Sequence, residues 1–204
     1  TILAAGRSQR MGRPKLLLRW NDTSVLGHLL EQWRTAGAAQ IAVVCDPNAT
    51  ELQNELKRLE VPSTNWIFNS QPDRGMFSSI QCAARCNDWQ PALTHFVLTL
   101  GDQPHLQQET LGELIAVAKR NPESVCQPLR NARRRHPVIF PKRDFLELRN
   151  SEAANLKEFL ASAGIELAGF ESADAGLEFD MDTPADYERL REMFQQADGK
   201  TQPD

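Results

Sequence analysis

The chain has 204 residues, 41% of them hydrophobic and 25% charged, with a formal net charge of −4; this is the profile of one globular domain and excludes a disordered chain. Its acidity excludes a general attraction for nucleic acid or an anionic membrane, so any phosphate must be held by a local cluster of cations. No run nears the roughly 20 apolar residues of a membrane span, and the start lacks the basic-then-apolar pattern of a secretory signal, so a cytoplasmic protein is expected.

Residues 1–4 read as the end of a strand already running into its loop, so further residues are expected upstream. The loop at 6–12 follows at once, as a ligand-binding turn follows a buried strand. Residues 24–36 place Val25, Leu29, Leu30 and Trp33 near one helical face, with Ser24 as cap and Gly37 as stop. The apolar run 41–45 predicts a strand covered on both faces, and a helix follows over 50–60. Residues 66–68 read as a short strand and 78–86 as a helix opening after the turn at 75–79. The strongest strand, 96–100, stops at Gly101-Asp102-Gln103-Pro104 and precedes a helix over 108–120.

Strands at 125–127 and 138–140 flank a basic linker. A helix over 153–163 closed by Gly164, strands at 166–171 and 177–181, and a helix from 184 to 196 lead to a polar tail at 198–204. Strands alternating with helices imply right-handed βαβ units and a mostly parallel sheet, and the short strands of the second half predict an antiparallel excursion. Cys45, Cys82, Cys86 and Cys126 lack the spacing of a disulfide framework. Cys82 and Cys86 share a helical face, which places two metal ligands together or, more commonly, two small core side chains.

Three segments carry chemistry. In residues 3–15, Leu-Ala-Ala-Gly-Arg-Ser-Gln-Arg-Met-Gly-Arg-Pro-Lys, small residues let backbone N–H groups approach an anion, while Arg7, Arg10, Arg13 and Lys15 supply charge for a triphosphate. The spacing is neither that of a Walker loop nor that of a dinucleotide-binding fold, and the bland alternative is a solvated basic turn. At 101–104, Asp102 stands at the carboxyl end of a strand, where ligands of an open α/β sheet collect and a carboxylate can hold Mg²⁺; such turns also serve purely conformational ends. At 180–186, Thr183 and Asp186 suit a capping box with Pro184 at the first helical position. Asp180 and Asp182 are left on one face of an extended stretch, wanting a cation.

Taken together, Leu-Ala-Ala-Gly-Arg-Ser-x-Arg-Met-Gly-x-Pro-Lys at 3–15, Gly75-Met76-x-Ser78-Ser79, Thr99-Leu100-Gly101-Asp102-Gln103-Pro104, His136-Pro137-Val138 and Asp180-x-Asp182-Thr183-Pro184-x-Asp186 resemble the MobA-like nucleotidyltransferases, and within them the molybdenum cofactor cytidylyltransferases. The resemblance implies a Rossmann-like, three-layer α/β fold of the nucleotide-diphospho-sugar transferase type. It implies one domain over 1–197, with a nucleotide-binding half at 1–104 and an acceptor-binding half at 105–197. Leu3, Ala4, Ala5, Gly6, Arg7, Met11 and Gly12 would form the nucleotide loop, Arg10 and Lys15 would hold the triphosphate, and Gly75, Ser78 and Ser79 would lie along the nucleoside. Asp102, with Asp182 and Asp180, would bind Mg²⁺, and Arg10, Lys15 and Asp102 form the implied catalytic set. Ala5, where guanylyl-transferring relatives usually have glycine, resembles the cytidylyl branch.

Gln103, Arg135 and His136 are the implied acceptor residues. Arg135 stands where relatives usually place glycine, which alters the loop facing the acceptor. Arg133, Arg134 and Arg135 either clamp a terminal phosphate or form a solvated basic loop. The implied reaction joins CMP from CTP to the terminal phosphate of Mo-molybdopterin, with a molybdoenzyme or its chaperone as a further partner. Transfer to another phosphorylated small molecule, and a non-catalytic cofactor chaperone, are the alternatives.

Overall fold

A computed structural model describes residues 1–6, 8–162 and 164–198, with side chains through Met193. In the first half, β1 (Ile2–Leu3), a small hairpin of β2 (Arg19–Trp20) and β3 (Thr23–Ser24), and α1 (Val25–Thr35) lead to β4 (Val43–Cys45) and α2 (Thr50–Arg58). Then come β5 (Trp66–Phe68), α3 (Met76–Arg85) and β6 (His95–Leu100). The second half runs through α4 (Gln108–Arg120), β7 (Val125–Arg130), β8 (Arg133–Arg134) and β9 (Val138–Pro141). It ends with α5 (Lys142–Glu147), α6 (Leu156–Ser162), β10 (Leu167–Glu171) and α7 (Pro184–Asp198).

Among the described residues the main sheet runs β5-β4-β1-β6-β9-β7-β10, with β8 paired to β7. Strands β5, β4, β1 and β6 are mutually parallel, because each is reached by a helical crossover that covers a face of the sheet. The two faces are read off β4: Val43 and Cys45 pack with Leu26, Leu29, Leu56 and Leu190 of α1, α2 and α7. Val44 packs on the other side with Ile80, Phe145 and Phe159 of α3, α5 and α6. Period-two alternation thus yields the three layers.

The antiparallel excursion is present. After β7 the chain reverses at Asn131 and Ala132, both left-handed (φ 52° and 58°), the conformation a tight hairpin requires. It then inserts β9 antiparallel between β6 and β7. β10 returns parallel to β7 rather than pairing with a strand at 177–181. That expected strand is replaced by a 3₁₀ turn, Ala175–Glu178. The cause is Asp174: its buried carboxylate accepts the N–H groups of Gly176 (2.8 Å) and Gln107 (2.9 Å) and the Thr110 hydroxyl (3.0 Å), which folds the backbone over before pairing can start.

The expected single helix at 153–163 begins only at Leu156, and α5, six residues long, is too short to announce a period. Ser24 caps α1 by accepting the Gly27 N–H at 3.0 Å. Thr183 and Asp186 form the reciprocal box before α7: the Thr183 N–H and hydroxyl both donate to the Asp186 carboxylate (2.9 and 2.7 Å), and the Asp186 N–H donates back to the hydroxyl (3.2 Å). The cysteines are free thiols; Cys82 and Cys86 pack against the core, and burial pushes both thiols above their ordinary pKa. Among the described residues no helix is long and apolar enough to cross a membrane.

Candidate active site

β1 and β6 are neighbours, with Leu3 opposite Leu100, and both leave the sheet at the same end. The exit needs glycine at 101. Its N–H donates to the Leu3 carbonyl at 3.1 Å, and a Cβ there would stand 2.9 Å from that oxygen and 3.0 Å from the Leu16 side chain. Asp102 is the first side chain beyond this close approach.

The loop after β1 is fixed from within. Ser8 and Gly12 are left-handed (φ 48° and 71°), the Ser8 hydroxyl accepts the Lys15 N–H at 3.2 Å, and the Met11 and Leu16 side chains are buried in the core. Held this way, Lys15 turns back to β6. Its Nζ lies 2.7 Å from Asp102 Oδ2 and 3.3 Å from Asp182 Oδ1, while Arg10 Nη2 reaches Asp182 Oδ2 at 2.7 Å. The lysine side chain is only 15% exposed, so this contact is less screened than a surface ion pair. The second carboxylate oxygen of Asp102, Oδ1, is buried and has no hydrogen-bond partner.

Asp182 arrives on a strap bolted to the same turn. The Met181 N–H donates to the Asp102 carbonyl at 3.1 Å, Gln103 Nε2 donates to Asp180 Oδ1 at 2.9 Å, and the Met181 side chain is fully buried. Burial, and then the charge of Asp102, push the Asp180 carboxyl above the usual carboxylate range, against the Gln103 amide, which favours ionisation.

Beside these charges opens a cavity of about 290 Å³ lined by Leu3, Ala4, Ala5, Gly6, Lys15, Gly75, Met76, Ser79 and Asp102. A polar cleft continues from it past Ser8, Gln9, Arg10, Asp73 and Asp182. Gly75 adopts φ 86° and ψ 177°, which is open essentially to glycine alone. Asn69, at the end of β5 and 1% exposed, donates from Nδ2 to the hydroxyls of Ser78 (2.8 Å) and Ser79 (2.9 Å) and so ties α3 to the sheet.

The sequence-predicted residues Ala4, Ala5, Gly6, Arg10, Lys15, Gly75, Ser79, Asp102 and Asp182 therefore line adjoining cavities. Ser78 supports the wall, Gln103 and Asp180 stand behind the carboxylates, and Met11 turns its side chain into the core. Arg7 lies outside the described residues. His136 is half-buried, with Nδ1 3.4 Å from the Leu98 carbonyl, and desolvation pushes its pKa below the ordinary value. Arg135 Nη2 sits 3.9 Å from Glu178, which also receives Arg130 at 3.4 Å and Asn131 at 2.8 Å; Arg133 and Arg134 are exposed. Asn69 and Asp73 escape sequence reasoning, although an asparagine directly after a parallel strand is a usable signal, and Met76 is quoted in the motif at 75–79 without a role.

Residues 1–168 match the family described as the MobA-like NTP transferase domain. The chain is 26% identical over 198 residues to the molybdenum cofactor cytidylyltransferase of Escherichia coli K12, covering 95% of each. It is 36% identical over 117 residues to the bifunctional protein GlmU of Azorhizobium caulinodans, a match spanning 56% of this chain and only 25% of that protein. In three dimensions it resembles Rv0371c of Mycobacterium tuberculosis H37Rv, solved in complex with manganese, at 28% identity and a TM-score of 0.69, covering 94% of this chain and 96% of that one.

Proposed function

The chain belongs to the MobA-like NTP transferase family and is a nucleotidyltransferase; from that premise we propose that it transfers CMP from CTP to the terminal phosphate of Mo-molybdopterin, giving the cytosine dinucleotide form and pyrophosphate. One observation carries the reading: Lys15 and Arg10 converge with Asp102 and Asp182 beside a cavity walled by Ala5, Gly75 and Ser79. The likeness to the Escherichia coli cytidylyltransferase over 95% of both chains supports it, as does the methyl group of Ala5 in that wall.

An acceptor phosphate oxygen attacks the α-phosphorus in line; a new P–O bond forms, the bond to the bridging α–β oxygen breaks, and pyrophosphate leaves with its electrons. Such a step needs alignment and charge neutralisation rather than a protein nucleophile. Arg10 and Lys15 neutralise the triphosphate, and Gly75 and Ser79 lie along the nucleoside in a wall that Ser78 holds through Asn69 and the Gly75 carbonyl. No general base is required, because a phosphate monoester is already largely ionised near neutral pH.

Mg²⁺ binds through one or two carboxylates completed by substrate phosphates. Asp102 fits that role through its buried, unpartnered Oδ1, and Asp182 faces the same ammonium. Among the described residues no three His, Cys, Asp or Glu side chains stand ready as a metal group, a number that a two-carboxylate site does not need. The ion, when bound, neutralises charge on the phosphates. Manganese in the Rv0371c structure agrees with a divalent-cation site.

We place the acceptor towards Gln103, Arg135 and His136, and the enzyme in the cytoplasm, passing its product to a molybdoenzyme or its chaperone. Transfer to another phosphorylated small molecule is the second reading, resting on Arg135 where relatives usually place glycine; its guanidinium lies 3.9 Å from Glu178. Pyrophosphate release is measured for four nucleotides, each against Mo-molybdopterin and a panel of phosphorylated small molecules. Release with CTP and Mo-molybdopterin is expected; release only with another pairing refutes the assignment.

A further inference from the structure

We propose that Lys15 is an internal counter-ion that closes the Asp102/Asp182 pair to divalent cations until a nucleotide draws it away, so that metal and nucleotide enter together. The inference rests on the function proposed for this site, in which those two carboxylates take the metal. One ammonium serves both of them, at 2.7 Å from Asp102 Oδ2 and 3.3 Å from Asp182 Oδ1. Mg²⁺ requires oxygens at about 2.0–2.1 Å and surrenders its water reluctantly. It cannot share Asp102 Oδ2 or Asp182 Oδ1 with an ammonium ion, and at Asp102 Oδ1, which the lysine leaves open, it is repelled by the charge held beside it. Arg10 differs: its side chain is 71% exposed and meets Asp182 at Oδ2, the oxygen that Lys15 does not contact.

The geometry permits release of the lysine without disturbing the loop. The Lys15 backbone is held by Ser8, and Leu16 anchors the next position in the core, so only the flexible four-carbon stem has to turn. The Lys15 side chain also lines both of the cavities proposed to hold nucleotide. Triphosphate oxygens in that cleft give the ammonium another anionic partner and at the same time supply the ligands that the cation lacks. Metal without nucleotide meets a pair already neutralised by the ammonium; nucleotide without metal leaves Asp102 without its counter-ion.

The test is Mn²⁺ uptake by the full chain without nucleotide, followed by loss of the free-ion paramagnetic resonance signal. Wild type is expected to bind weakly. Lys15→Met and Lys15→Gln should bind about tenfold more tightly or better, from removal of a like charge at contact distance. Arg10→Met, with the same change in net charge, should gain clearly less, and Lys15→Met combined with Asp102→Asn should lose the gain. Equal gains at Arg10 and Lys15, or none at Lys15, overturn the proposal. A measurement on wild type guards against variants that do not fold: Mn²⁺ alone should leave the melting temperature unchanged, whereas Mn²⁺ with CTP raises it beyond CTP alone. Stabilisation by Mn²⁺ alone, equal to that with CTP, overturns the proposal without any variant. Pyrophosphate release run alongside separates the two ideas: its absence with the lysine effect intact sinks the CTP assignment and leaves the counter-ion standing.

Discussion

Replacing Gly101 by alanine puts a single methyl group at the junction of fold and site. The Cβ would approach the Leu3 carbonyl at 2.9 Å and Leu16 at 3.0 Å. Leu16 can turn slightly, but the carbonyl belongs to β1 and already accepts the Gly101 N–H at 3.1 Å, so relief requires β1 and β6 to part. Overpacking of this kind costs about 1–3 kcal/mol, and a loss of about 2 kcal/mol lowers the melting temperature of a chain this size by about 4–8 °C. Asp102 moves with its neighbour, and a displacement near 1 Å in such a site costs about a hundredfold in rate. Gly112, inside α4 with nothing within 4 Å of the place an added methyl would take, is the control: alanine there should stabilise by about 0.8 kcal/mol through helix propensity. Thermal melts and pyrophosphate release on both variants decide the matter. A Gly101→Ala protein that melts with wild type and keeps its rate would show that the close approach is not binding on the structure.

Asp102→Asn should lower turnover by about a hundredfold or more with little change in melting temperature, read by pyrophosphate release and calorimetry; near-normal release would remove Asp102 from the site. Thr183→Ala should cost about 1 kcal/mol through the lost cap. Thr183 holds the Asp186 carboxyl below its ordinary range, so this stability is present above the unfolded carboxylate pKa and is lost as pH falls below about 4. The variant's deficit measured by urea titration should therefore shrink in acid, and a deficit constant with pH would contradict the pairing. Burial lowers the His105 pKa, opposed by its contact with the Gly176 carbonyl. The unfolded chain then binds the extra proton, and stability drops as pH falls through about 6.5 towards the folded value. His105→Gln should flatten that fall in urea midpoints between neutral and mildly acidic pH; an unchanged slope would assign the titration elsewhere.

Helix α4 was legible to the residue, since its apolar spacing and flanks are regular: residues 108–120 are expected and Gln108–Arg120 are found. The loop at 3–15, the turn at Asp102 and the box at Thr183 were legible because each has chemistry written into adjacent positions. The β2/β3 hairpin was not, since two-residue strands carry no period; it rests on Asn21 at φ 52° and on Trp20 packed near Tyr187. The turn at 175–178 depends on Asp174 meeting the start of α4, a contact between distant segments that local pattern does not encode. For the same reason Asn69 passes as an ordinary loop residue until α3 folds back on it.

Strand β1 pairs on one side with β4 and on the other with β6, Ile2 meeting both Val43 and Thr99. The loop at 3–15 and the Asp102 turn therefore become neighbours only when the two ends of the first half of the chain meet, and Asp182 joins from still farther along. Contacts so remote in sequence carry a large loop-closure entropy and form slowly. During refolding, helices α1 to α3 should gain protection from hydrogen exchange before the Lys15–Asp102 contact exists.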